Sequence, residues 1–237
     1  ERSNISDWYW HKIISKLSFI MTSLIEIEIP SSVVYIGEGT FSGSQLKNIT
    51  FAADSQLSYI GELAFEYTAI ERVQLPNKLI AIGNYAFKNT NLKNVSIPSS
   101  VVQLGNGVFA SCYSLTSIDV EDNNENYVSL DGVVYSKDLT HLVMYPGGKN
   151  SYPYVVNENT KVINDSAFYG AYALIDVQLN NGLEEIDQYA FYDVQNVCTY
   201  KLPSTLVSIG NYAFSNNKNL EYVNIPDSVL KIGRYAF

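Results

Sequence analysis

Reactive side chains are scarce in this chain of 237 residues, which holds only two cysteines and two histidines. His11 and His141 stand far apart, and neither has a serine or cysteine nucleophile motif beside it. No His or Cys cluster shows the spacing of a metal site. Two cysteines cannot build a disulfide framework, so Cys112 and Cys198 read as free thiols, Cys112 a buried one. No catalytic constellation, metal or cofactor is expected. Charge is thin as well: 16% of residues, with 15 basic against 24 acidic, give a net charge of −9. Without basic patches the chain is not made for nucleic acid or for an anionic membrane surface.

Long apolar runs are missing too. None approaches the ~18 residues of a membrane-spanning helix, so no direct membrane insertion is expected. No basic-then-apolar leader with a cleavage site opens the sequence, and Phe237 falls in mid-repeat. Both features fit a processed or excised piece of a longer protein.

What is present is order. Hydrophobic residues make up 46% of the chain and tyrosine alone contributes 19. The pattern is clearest from Leu174 onward, in Leu174-x-x-Val177-x-Leu179, Val197-x-x-Tyr200-x-Leu202-Pro203 and Leu220-x-x-Val223-x-Ile225-Pro226. Each start is followed by an apolar pair and a phenylalanine: Leu183/Ile186/Phe191, Leu206/Ile209/Phe214, Val229/Ile232/Phe237. The anchors Phe191, Phe214 and Phe237 stand 23 apart. A fixed period in the twenties marks a solenoid.

The same register places strand starts at Leu24, Leu46, Ile70, Leu92, Leu115, Ser151, Leu174, Val197 and Leu220. Phe41, Phe65, Phe87, Phe109 and Phe168 complete the anchors. Within a unit, alternation puts Val223 and Ile225 on one side of a strand and Tyr222 and Asn224 on the other. Pro226 ends the strand. Gly37, Gly61, Gly83, Gly105, Gly210 and Gly233 are read as permitting a tight or left-handed turn. One unit cannot bury its apolar side chains alone, whereas stacked neighbours can.

The pattern Leu-x-x-Val-x-Ile-Pro-x-x-Val-x-x-Ile-Gly-x-x-Ala-Phe resembles the BspA-like leucine-rich repeat, a bacterial surface-antigen type. The resemblance runs from Leu24 to Phe237, with Cys112 where that family often has cysteine. Ala52, Glu121, Asn157 and Asn180 replace its proline, and Asn164 and Asp187 its glycine. It implies a leucine-rich repeat solenoid, a right-handed curved superhelix. A parallel β-sheet of nine strands would line one face, with short strands or turns on the other. It also implies surface display and attachment to host or neighbouring-cell components.

Residues 1–23 are expected to form an N-terminal cap, and 24–237 the repeat array. Trp10, Ile14, Leu17, Met21 and Leu24 recur at helical spacing, with Ser6 and Asp7 as N-cap and first-turn acid. Trp8 and Trp10 would then cover the open end of the core. A competing reading takes Ile14 and Phe19 as a worn repeat, five apart like Ile36 and Phe41. Between starts Leu115 and Ser151 the unit is long, spanning 115–150. There Val133–Ser136 and His141–Tyr145 flank the polar Lys137–Thr140 as a β-hairpin, with Pro146-Gly147-Gly148 as exit loop. Asp122–Asn126 is rich in oxygen but lacks calcium-loop spacing, so it reads as a solvated turn.

The outward strand positions form the candidate binding face: Glu26, Glu28, Asn48, Thr50, Arg72, Gln74, Asn94, Ser96, Ser117, Asp119, Asp176, Gln178, Thr199, Lys201, Tyr222 and Asn224. At ~4.8 Å per strand, nine strands would make it about 40 Å long. That suits a protein or glycan partner better than a small substrate. A flank of Tyr85, Tyr189, Tyr212 and Tyr235 is the second candidate, with packing of the coil corner as its other reading. The expected protein is a monomeric, non-catalytic interaction module, extracellular or on a bacterial cell surface. The alternative is a spacer within a larger secreted protein whose activity lies elsewhere.

Overall fold

Alternation in Glu26-Ile27-Glu28-Ile29 sends every second side chain inward, where Ile27 and Ile29 are buried. Coil after coil repeats that choice, and stacking builds a β-solenoid of about ten turns with parallel strands. The structure is a computed structural model and describes residues 12–237.

The first half carries β1 (Ile13–Ile14), β2 (Glu26–Ile29), β3 (Tyr35–Ile36), β4 (Asn48–Phe51), β5 (Tyr59–Ile60), β6 (Ala81–Ile82), β7 (Asn94–Ile97), β8 (Gln103–Leu104) and β9 (Ser117–Val120). The long unit adds β10 (Tyr127–Leu130), β11 (Val133–Ser136) and β12 (His141–Met144). The array resumes with β13 (Tyr154–Val155), β14 (Val162–Ile163), β15 (Val177–Gln178) and β16 (Glu185–Ile186). It closes with β17 (Thr199–Lys201), β18 (Ser208–Ile209), β19 (Tyr222–Asn224) and β20 (Lys231–Ile232).

The continuous ladders lie on the side opposite to the one expected. Second strands join as β1-β3-β5-β6-β8, then as β10-β11-β12-β14-β16-β18-β20. First strands only pair off, as β2–β4, β7–β9, β13–β15 and β17–β19, with a lone bridge from Asn48 to Arg72. Second strands β3, β5, β6, β8, β18 and β20 run into a glycine, and a Cβ on Gly61, Gly83, Gly105, Gly210 or Gly233 would lie 2.4–2.5 Å from backbone of the preceding coil, while β14 and β16 keep the ladder with Asn164 and Asp187 at that place. The glycines thus serve close approach rather than a left-handed turn, which corrects the sequence reading. First strands have no such glycine; their inward rows carry large rings at Phe51, Tyr154 and Tyr200, and β13 still pairs with β15 through Tyr154 and Val177.

Left-handed backbone lies instead two residues before and after each anchor from Phe41 to Phe214. Gly39 and Gly43 flank Phe41, Tyr85 and Asn89 flank Phe87, and Tyr189 and Asp193 flank Phe191, all with positive φ. Between them the anchors stack. Phe19, Phe41, Phe65, Phe87 and Phe109 follow one another at 4.9–5.6 Å. A second run, from Tyr145 through Phe168, Phe191 and Phe214 to Phe237, is spaced at 4.6–5.3 Å.

Phe19 in that stack settles the described part of the N-terminal segment. Ile13 and Ile14 pair in parallel with Tyr35 and Ile36, and Leu17 and Met21 have φ of 59° and 54°. Residues 12–23 are therefore a further coil and not a helix. The apparent helical spacing arose because Ile14, Leu17, Met21 and Leu24 sit at repeat positions. Ser6, Asp7, Trp8 and Trp10 lie outside the described residues.

The long unit interposes a three-stranded antiparallel meander, β10-β11-β12, whose last strand rejoins the parallel ladder against β14. Its two faces serve two cores. Val134, Val143 and Met144 pack into the first; Val133, Tyr135, Leu142 and Tyr145 pack into the second. A register shift, pairing Val134 with Met144 but Tyr135 with Leu142, lets Val143 and Met144 face the same way. Asn124 locks the entry. Its amide donates to the carbonyls of Pro98 and Val101, and its Oδ1 accepts the N–H groups of Asn126 and Tyr127.

In the hairpin loop the Asp138 carboxylate accepts bonds from Ser136 Oγ and from the hydroxyl and N–H of Thr140. Those bonds favour its charged form and lower its pKa from 3.8 to about 2. A depressed carboxyl stabilises the fold above its unfolded value and stops doing so as pH falls through its folded one. The loop should therefore loosen between pH 4 and 2, seen as faster amide exchange at Thr140 and His141. Asp138→Asn should abolish that pH dependence; an unchanged profile would contradict the assignment.

Candidate interaction face

Pairing sets the outward residues side by side. Glu26 lies next to Asn48 and Glu28 next to Thr50; Asn94 lies next to Ser117 and Ser96 next to Asp119. Arg72 joins Asn48 through the single bridge, with Gln74 two residues on. In the second half Thr199 lies beside Tyr222 and Lys201 beside Asn224. Gln178 lies beside Val155, with Asp176 two residues before it. All are exposed except Ser117, Asp176 and Asn224, which are half-buried.

The meander divides this row. The N–H of Ile118 donates to the Gly132 carbonyl (2.9 Å), and that of Val120 to Ser129 Oγ (3.2 Å). These bonds close the free edge of β9. Glu26 to Asp119 thus form one segment and Asp176 to Asn224 another.

Some of the sixteen residues already have structural work. Ser117 Oγ donates to Asp119 Oδ1, and Asn224 Oδ1 accepts the Leu202 N–H at 3.1 Å. By contrast, Arg72, Gln74, Asp176, Gln178, Thr199, Lys201 and Tyr222 make no side-chain hydrogen bond or ion pair among the described residues. Tyr222 is 61% exposed. The fold does not use these groups.

Two breaks in the first-strand ladder open into clefts. One, of about 530 Å³, lies between β4 and the Gln74–Lys78 segment. The other, of about 690 Å³, lies between β15 and β17, with Tyr152 at its rim and Cys198 in its wall. Tyr152 and Val155 were missed in the sequence, although counting from Ser151 by the repeat rule puts Val155 on the outward row. Cys112 is fully buried, with Sγ donating to the Phe87 carbonyl, and burial pushes its thiol up to about 11; Cys198 is exposed.

The tyrosine flank is packed against itself. Tyr189 and Tyr212 stack at 5.0 Å, and Tyr212 and Tyr235 at 5.1 Å. Tyr85 instead donates or accepts a 2.9 Å bond with Ser166 and meets Tyr169 edge-on. Stacked rings show a partner only their edges and hydroxyls. The oxygen-rich turn is likewise committed, since its Asn124 points inward; no metal-ligand cluster occurs among the described residues.

The stacked coils and their anchor aromatics define a leucine-rich repeat solenoid. More narrowly, residues 12–129 and 152–237 match the BspA type leucine rich repeat region in six copies, and the chain belongs to that family. The pneumococcal vaccine antigen PcpA is similar in structure, with 34% identity and a TM-score of 0.76 over 90% of this chain. This chain spans 59% of that one. A leucine-rich repeat protein from Eubacterium ventriosum shares the fold at 24% identity and a TM-score of 0.84, covering 98% of this chain and 70% of the other. A leucine rich cell surface protein from Faecalibacterium prausnitzii shares it at 20% identity and a TM-score of 0.54, over 94% and 82% respectively. No curated protein matches the chain significantly.

Proposed function

We propose that the chain is a non-catalytic interaction module, secreted or displayed on a cell surface. It binds protein or glycan components of a host or neighbouring cell through the first-strand face, and acts as a monomer. One observation carries the reading: Arg72, Lys201 and Tyr222 stand exposed on that face and unpaired among the described residues, where repeat logic requires none of them. Arg and Tyr are the residue types that most often anchor interfaces. Surface placement is supported by family membership and by PcpA being a vaccine antigen.

The test is a protein and glycan array probed with the chain and with the triple variant Arg72→Ala, Lys201→Ala, Tyr222→Ala. The variant should weaken a true partner by more than about 1 kcal/mol while Tm stays within a few degrees, since exposed substitutions are near-neutral for stability. Tyr189→Ser with Tyr212→Ser is the comparison. A ligand that survives the triple variant and is lost with the flank pair would move the site to the tyrosines. An array empty of ligands would favour the spacer reading.

A further inference from the structure

The wider cleft, between β15 and β17, has a chemistry of its own. No ladder joins these two strands, so the gap is a feature of the backbone and not of a single rotamer. Tyr200 belongs to β17, on one side of the gap. At the inward position held by Val177 one coil earlier and Val223 one coil later, it is a fully buried ring packed on Phe191 and Phe214.

We infer that this cleft is a saccharide site taking a carboxylate-bearing sugar unit of a glycan; the inference rests on the first-strand face being the interaction surface. Its volume of about 690 Å³ lies in the range of small-ligand sites, about 300–1,000 Å³. Tyr152, 73% exposed at the rim, offers an apolar ring face with a hydroxyl at its end. That combination suits the C–H face of a pyranose. Asp176 and Gln178 supply unused acceptors and donors for ring hydroxyls, and Thr199 adds a hydroxyl. The Asn196 amide is held by the Tyr172 carbonyl at 2.7 Å, which leaves its own oxygen to accept.

Lys201 decides the class. It lines the cleft as its one cation, and among the described residues no carboxylate lies within ion-pair distance, Asp176 included. An unpaired ammonium beside hydroxyl-binding groups selects a sugar bearing an anion over a neutral one. Single-cation lining is too little for a polyphosphate backbone, which needs several. The narrower cleft lacks this set: its lysine, Lys78, already donates to Gln56 Oε1 at 2.7 Å.

Cys198 in the cleft wall provides the reporter. Sialyllactose and a glucuronate-containing disaccharide are titrated against the intact chain, with lactose as neutral control, by calorimetry and by the rate at which a thiol reagent labels Cys198. Cys112 is buried and stays silent. At least one carboxylated sugar should bind about tenfold or more tighter than lactose, as one charge-assisted contact allows. It should also slow labelling of Cys198. Lys201→Ala should abolish the preference over lactose, and Asp176→Asn should weaken both sugars. Equal binding of charged and neutral sugars, no binding, or binding that leaves Cys198 labelling unchanged would overturn the inference. The face reading has its separate test: a protein partner lost with the triple variant but held equally before and after removal of its glycans would keep the face and sink the saccharide cleft.

Discussion

Replacing Phe191 by alanine is expected to cost about 3–5 kcal/mol, the usual loss for truncating a buried aromatic. Phe191 is fully buried between Phe168 at 4.6 Å and Phe214 at 5.2 Å, with the Tyr200 ring edge-on at 5.1 Å. Its removal opens a void that two phenylalanines held by their own coils cannot fill. The damage should stay local, because coils in a solenoid touch only their neighbours. Hydrogen exchange should rise between residues 168 and 214 while residues 30–60, in the separate first core, stay protected. Uniform loosening along the chain would contradict a one-dimensional stack.

Asn124→Ala is the second large effect, and its cause is polar. Four backbone groups lose their partner at once: the carbonyls of Pro98 and Val101 and the N–H groups of Asn126 and Tyr127. Asn124 is 1% exposed, so water does not simply take over. At about 1–3 kcal/mol for each buried group left unmade, with Pro98 O still accepting the Val101 N–H, a loss of about 3 kcal/mol follows. Asn126→Ala, on an exposed side chain, serves as control. Denaturation of Asn124→Ala within about 0.5 kcal/mol of the parent, the range of ordinary surface changes, would refute the plug.

Period and anchor were legible because burial leaves them little choice: a Phe every 22 to 24 residues is what a stacked core needs. The hairpin was legible because two β-rich runs flank a polar turn. Three other features were not. Phe19 belongs to a coil, yet its segment mimics a helix, since repeat spacing and helical spacing coincide over Ile14, Leu17 and Met21. The second run of rings begins at Tyr145, which a scan for Phe at fixed register passes over. The breaks between first strands do not follow the letters: Tyr154 and Tyr200 share one inward position, yet β13 pairs with β15 and β17 does not. For the same reason the candidate face was read as one sheet. The clefts within it lie where pairing breaks, which the period does not reveal.

That contrast between two sides of the coil underlies both the open face and the cleft, and amide exchange resolved by NMR tests it. The N–H groups of Asp187 and Gly210 donate along the second-strand side to Ile163 and Ile186 at 2.9 and 2.7 Å. Those of Thr199 and Lys201 lie on the β17 edge facing β15, where no ladder forms. Protection at Asp187 and Gly210 should exceed that at Thr199 and Lys201 by about tenfold or more, since exchange follows local hydrogen bonding and burial. Equal, strong protection at all four would mean that β15 and β17 pair in solution, that the first-strand sheet is continuous there, and that the cleft does not exist.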